Sequence, residues 1–205
     1  QRREMASSAR SLPTQHEEAL WSQRRQPQQV AALVEQEQEQ KLGQAVSAPL
    51  PSVLSRLQEW IAKEGIRHEV FHHQPTRTSE ESAKARGEKL SNGGKALLLK
   101  IDKDFQLFVM PADRRLDSRA LKRELGARRI RFASAEELLE LTGLVPGSVP
   151  PFGEPLLPFP LNLDEEITKN ERIAFNAGSL EQSFRMKVED YLALARPERV
   201  FSLSS

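Results

Sequence analysis

The chain has 205 residues, 38% of them hydrophobic and 29% charged, and its 30 Lys and Arg nearly balance 29 Asp and Glu for a formal charge of +1. That suffices for one packed domain plus an appendage, and the absence of cysteine excludes a disulfide framework, a thiolate zinc site, an iron–sulfur cluster and a cysteine nucleophile. No apolar run approaches the roughly 18 residues of a membrane span and no secretory signal opens the chain. A soluble, cytoplasmic protein is expected, and Gln1 at its start suggests a fragment or a processed product.

Residues 1–50 are polar and rich in Gln and Glu, with Trp21 as their single aromatic residue. They read as an extension, partly helical or disordered: a solvated tail, or a helix that docks a partner. The folded domain is expected over 51–205. Leu54, Leu57, Trp60 and Ile61 recur at helical spacing after Ser52, and Gly65 stops that helix. Ile66–Phe71 reads as a strand, and Thr78-x-x-Glu81 is a capping box opening a second helix that ends at Gly87. Lys95–Ile101 and Phe105–Met110, split by Asp102-Lys103-Asp104, predict a hairpin. Asp117 caps a helix ending at Gly126, Arg129–Phe132 is a short strand, and Ser134-x-x-Glu137 opens a helix through Leu141. A Gly/Pro-rich loop spans Gly143 to Pro158. Strands near Leu161, at Arg172–Asn176 and at Ser183–Lys187, then a helix over Val188–Arg196, complete the chain. The irregular alternation predicts a mixed α+β fold, a largely antiparallel sheet with flanking helices.

The charge is unevenly spread. Residues 84–131 hold 14 Lys and Arg against 6 Asp and Glu, whereas residues 132–205 hold 6 against 12. The basic third is either a surface for a polyanion or a set of solvated faces balanced in space by the acidic third. There is no phosphate-binding loop, dinucleotide fingerprint or G-x-S-x-G elbow. His72 and His73 would point to opposite faces of a strand, so structural or solvated histidines are expected and no metal site or cofactor is implied.

Three stretches stand out. Gly143 to Gly153 packs three glycines and three prolines into eleven residues. Such a loop is either a plain crossover or a stiff backbone suited to an amine, a carbonyl or a developing oxyanion. Lys95 follows Ser91-Asn92-Gly93-Gly94. It either reaches solvent from a strand end or sets its ammonium beside phosphate or carboxylate groups. Asn176-Ala177-Gly178-Ser179 is either a turn or a ligand-lining edge.

Taken in order, Lys95-Ala-Leu-Leu-Leu-Lys100, Pro111-Ala-Asp-Arg-Arg-Leu-Asp117, Phe132-Ala-Ser-Ala-Glu-Glu-Leu138, Gly147-Ser-Val-Pro-Pro-Phe-Gly153 and Phe175-Asn-Ala-Gly-Ser179 resemble the YbaK/ProX family over residues 51–200. That family comprises free-standing relatives of the editing domain inserted in bacterial prolyl-tRNA synthetases. The resemblance implies hydrolysis of the ester joining a wrong amino acid to the 3′-terminal adenosine of a tRNA, commonly tRNA for proline. It sets Lys95 at the family's required lysine and Gly147 to Pro151 on its G-x-x-x-P loop, with Ser148, Val149 and Pro150 between. It implies pocket positions at Phe71, Thr78, Asn176, Gly178 and Ser183. An aminoacyl ester is already activated, so a positioned water and charge stabilisation suffice, and the family's substrate-assisted mechanism fits a chain without an evident base. Thr78 leans the pocket toward a small or hydroxylated amino acid. Arg114, Arg115, Lys122, Arg123, Arg128 and Arg129 are candidates for the tRNA acceptor stem. The implied partner is aminoacylated tRNA rather than DNA or a membrane, with residues 1–50 a candidate arm toward a synthetase or another translation protein. The competing function is a non-catalytic tRNA- or synthetase-binding module that keeps the fold.

Overall fold

A computed structural model describes residues 51–204; the expected extension over residues 1–50 lies outside the described residues. Helix α1 (Val53–Lys63) starts on Ser52, whose side chain accepts from Ser55 N, and it buries Val53, Leu57 and Ile61 along one face. Gly65 adopts φ 67° and Ile66 N returns to Ile61 O at 3.2 Å. That closing turn holds Ile66 at the helix exit, so strand β1 runs His68–His72 rather than Ile66–Phe71.

Helix α2 (Ser79–Arg86) forms the expected capping box between Thr78 and Glu81. Strands β2 (Gly94–Ile101) and β3 (Asp104–Pro111) make the hairpin in register from Gly94↔Pro111 to Ile101↔Asp104. Asp102 turns it at φ 54° and accepts from Arg128 N and Arg129 N at 3.0 and 2.7 Å, tying β4 (Ile130–Phe132) to the hairpin end. Between them Asp117 caps α3 (Ser118–Glu124). The second capping box, Ser134 with Glu137, opens α4 (Ala135–Thr142). After the Gly/Pro loop come β5 (Leu161–Asp164), β6 (Arg172–Asn176), β7 (Gln182–Lys187), α5 (Val188–Ala195) and β8 (Arg199–Phe201). Short 3₁₀ turns at Leu90–Asn92 and Glu165–Lys169, and β8 itself, go beyond the elements expected from sequence.

The strands form two sheets, ordered β1-β7-β6 and β4-β2-β3-β5-β8. The first is antiparallel throughout, as are β4-β2-β3, whereas β3–β5 and β5–β8 pair in parallel. All four residues of β5 are buried, as a strand with neighbours on both edges and cover on both faces must be. The main core centres on Phe152, which meets Trp60, Phe175 and Tyr191 edge-on with ring centroids 5.3–5.5 Å apart. Burying such a ring stabilises by about 1.5–3 kcal/mol, and it anchors the Gly/Pro loop that carries it. The two sheets touch where Gly93 bridges Ala174. A Cβ on Gly94 would sit 2.6 Å from Ile173 Cδ1, so β2 enters against β6 closer than any other residue allows.

Candidate active site

At that junction lies a small cleft, open to solvent, with a cavity volume of about 90 Å³. Four segments build it. The entry of β2 contributes Gly93, Gly94 and Lys95; the start and inner face of α2 contribute Thr78, Ser79, Ser82 and Arg86; the Gly/Pro loop contributes Gly147 and Val149. The end of β6, Ala174 to Asn176, closes the back.

Lys95 stands at the mouth, half-buried, with its Nζ donating to the Arg114 carbonyl. Burial draws its ammonium below the usual lysine range; Glu80 and Asp113 oppose that and Arg115 adds to it. A desolvated cation at a pocket mouth favours an anionic or strongly polar ligand.

The back wall is a buried polar chain. Asn176 and Ser183 are register partners of β6 and β7, so their side chains meet: Ser183 Oγ donates to Asn176 Oδ1 at 2.8 Å. The Asn176 amide nitrogen donates in turn to the Gly147 carbonyl at 2.8 Å. His73, one residue past β1, lies 2.8 Å from Ser183 Oγ through Nε2 and 2.9 Å from the Gln74 carbonyl through Nδ1. The loop is clamped at two further points. Gly178 N donates to the Ser148 carbonyl at 3.0 Å and the buried Tyr191 hydroxyl donates to the Pro151 carbonyl at 2.8 Å. Gly147 adopts φ 90°, and a Cβ there would lie 3.1 Å from the Arg77 carbonyl, so only glycine lets this turn pass so close to the α2 entry. Among the described residues no group of three or more histidine or acidic side chains could hold a metal ion, and no helix is long and apolar enough to cross a membrane.

The model of the aminoacyl-tRNA editing domain matches residues 73–194, a span that includes the cleft-lining residues on all of these segments. The chain belongs to that family. The chain class expected from sequence, an ester-hydrolysing deacylase, goes with this membership. The editing domain is 35% identical over 158 residues to the multifunctional Ser/Thr-tRNA deacylase ProXp-y of Escherichia coli (strain K12), covering 71% of this chain and 89% of that protein. It is 35% identical over 101 residues to the proline–tRNA ligase of Shouchella clausii, which is 49% of this chain and 18% of the ligase. A crystal structure of a candidate trans-editing enzyme for prolyl tRNA synthetase superposes with a TM-score of 0.66 at 30% identity, over 77% of this chain and 99% of that one.

Of the residues singled out in the sequence, Lys95, Thr78, Gly147, Val149 and Asn176 line the editing domain's cleft. Ser183 stands behind Asn176, and Ser148, Pro150 and Pro151 are the buried residues of the loop itself. Gly178 holds the loop through its N–H, and Phe71 lies under the Arg185 guanidinium, 5.1 Å from ring centroid to cation, outside the cleft lining. Arg114 and Arg115 are exposed beside Lys95, with Arg114 3.6 Å from Glu166. Lys122 and Arg123 are exposed on α3; Arg128 and Arg129 sit at the hairpin end of β2, roughly 20 Å along the strand from Lys95. Sequence reasoning passed over Arg77, Ser79, Ser82 and Arg86 of the α2 wall. Their hydrophilic run, SEESAKAR, has no apolar stripe to mark an inner face.

Proposed function

We propose that this editing domain hydrolyses the ester linking a small or hydroxylated amino acid to the 3′-terminal adenosine of a tRNA, that of tRNA for proline or a related tRNA. The observation that carries this reading is the shared cleft: the half-buried Lys95 ammonium and the proline-stiffened Gly147 loop border the same hollow. Water attacks the ester carbonyl carbon and the carbon–oxygen bond to the ribose breaks. The ribose oxygen leaves with a proton, and the free amino acid departs as its carboxylate. Lys95 holds the terminal nucleotide through its phosphate or hydroxyl groups, while the loop backbone orients the amino acid's amine and carbonyl. The vicinal ribose hydroxyl positions the water, which suits a cleft whose lining includes no carboxylate or histidine among the described residues. Thr78 accepts from Glu81 N at 3.1 Å, which leaves its own hydroxyl proton to donate to a ligand.

Arg114 and Arg115 flank the mouth and suit the terminal phosphates; Arg128 and Arg129 suit phosphates further along the acceptor stem. The work of such an enzyme belongs in the cytoplasm, beside the synthetases that charge tRNA. The test is a panel of mischarged tRNAs, with wild type compared to Lys95→Ala. Turnover by the wild type on at least one small-residue ester, lost in the variant while tRNA binding survives, is expected. Binding without turnover on any charged tRNA would replace this reading with the binding module.

A further inference from the structure

Arg86 ends α2 and is 8% exposed, yet among the described residues it has no carboxylate within 4 Å. The nearest candidate, Glu88, is engaged by Arg185 and by Asn92 Nδ2 at 2.8 Å. Among the described residues Arg86 makes one hydrogen bond, from Nη1 to Ser183 Oγ at 3.1 Å, and its Nε is buried without a partner. Nη2 lies against Gly93 in the cleft wall, 3.8 Å from the place a Cβ would take. A guanidinium carries five donors and cannot shed its charge, so burying it with one acceptor is heavily penalised unless a ligand completes it. Burial draws its pKa downward, and the more distant Glu88 carboxylate opposes that without reversing it.

Depth decides which part of a ligand it meets. Lys95 lines the cleft and the exposed Arg114 and Arg115 lie beside it, which marks the mouth as the side from which a ribose and base approach. Arg86 and Ser82, 8% and 6% exposed, mark the floor, which the smallest portion reaches. Resting on the deacylase reading, we propose that Arg86 is a specificity-determining residue: its guanidinium donates to an acceptor oxygen on the side chain of the esterified amino acid, selecting hydroxyl-bearing residues over aliphatic ones of the same shape. A site built to hydrogen-bond a hydroxyl strands its donors when an isostere without it binds, and such sites discriminate strongly.

The experiment compares deacylation of one tRNA charged with threonine or with the isosteric valine by wild type, Arg86→Met and Ser183→Ala. Wild type is expected to favour threonine by ~tenfold or more. Arg86→Met is expected to bring the ratio near one by losing rate on threonine, whereas Ser183→Ala lowers both rates together. Should Arg86→Met not fold, as read by thermal melting, Arg86→Lys serves: one ammonium cannot reach both Ser183 and the ligand, so the ratio still falls at least ~threefold. An unchanged ratio in the Arg86 variant that folds, a wild type indifferent to the hydroxyl, or a Ser183→Ala ratio that collapses as Arg86→Met does would each overturn the assignment while leaving the deacylase intact. Absence of turnover on every charged tRNA overturns the deacylase reading and this proposal together.

Discussion

Two arginines meet the same face of β7 two residues apart, and they are treated oppositely. Arg185 projects from the strand itself between Glu69 and Glu88, with Arg172 reaching the same Glu69 at 3.0 Å. Those carboxylates raise its pKa above even arginine's usual value. Arg86 arrives from α2 beside Ser183, one step along that face, and finds a hydroxyl in place of an acid. A cation fully matched by protein has nothing left to offer a ligand, whereas one left short of acceptors is an invitation. The first region is scaffold and the second is the wall of a cleft.

The sharpest way to test that division is on the cleft side. Lys95→Ala is expected to lower kcat/KM for a mischarged tRNA by ~10²–10³-fold, with a melting temperature close to wild type because the ammonium's one hydrogen bond among the described residues is to the Arg114 carbonyl at the mouth. Gly147→Ala comes next, a ~10–100-fold loss measured in the same assay, since its φ of 90° and the Arg77 carbonyl 3.1 Å away oppose any Cβ. Asn176→Ala strands the Gly147 carbonyl and the Ser183 proton. Denaturant unfolding should register about 1–3 kcal/mol of lost stability, alongside a ~tenfold fall in rate as the loop loosens.

On the Arg185 side the expectation reverses. Glu88→Gln should cost about 1–3 kcal/mol at neutral pH, because its side chain is only 8% exposed against Arg185, and leave deacylation unchanged; a large loss of activity would break the division. Burial by itself would raise the Glu88 carboxyl, but hydrogen bonds from Asn92 and Arg185 outweigh it and leave it below the usual 4.5. A depressed folded value means the stabilisation is present above 4.5 and fades as pH falls through the folded value. Wild type and Glu88→Gln should therefore converge in acid. The smallest effect belongs to Arg131 and Glu137, where the hydrogen bond from Arg131 holds the carboxyl at about 2. Melting curves of wild type and Glu137→Gln should differ slightly at neutral pH and merge between pH 4.5 and about 2.

Local chemistry was legible where neighbours in sequence carried it. Both capping boxes, the Asp102 hairpin and the helix stops at Gly65 and Gly87 follow from residues close by in sequence. The largely antiparallel sheet was legible from the short connections, but the parallel pairing of β3 with β5 was not, because Leu107 and Leu161 are brought together by a long crossover. In the site, Lys95 and the Gly147 loop announced themselves by unusual composition and by family resemblance. Arg86 did not, because its burial depends on α2 packing over β7, and nothing in its own helix records that.

Sequence by itself determined the elements, their caps and the two segments most able to bind a polar ligand, since those depend on short-range sterics and hydrogen bonding. Only the tertiary structure decided that the two segments share one hollow, that Asn176 and Ser183 pair to hold the loop, and that one arginine is neutralised while its neighbour is left exposed to the cleft. Charge compensation is a matter of distance in space, and distances between residues a hundred positions apart are set by packing.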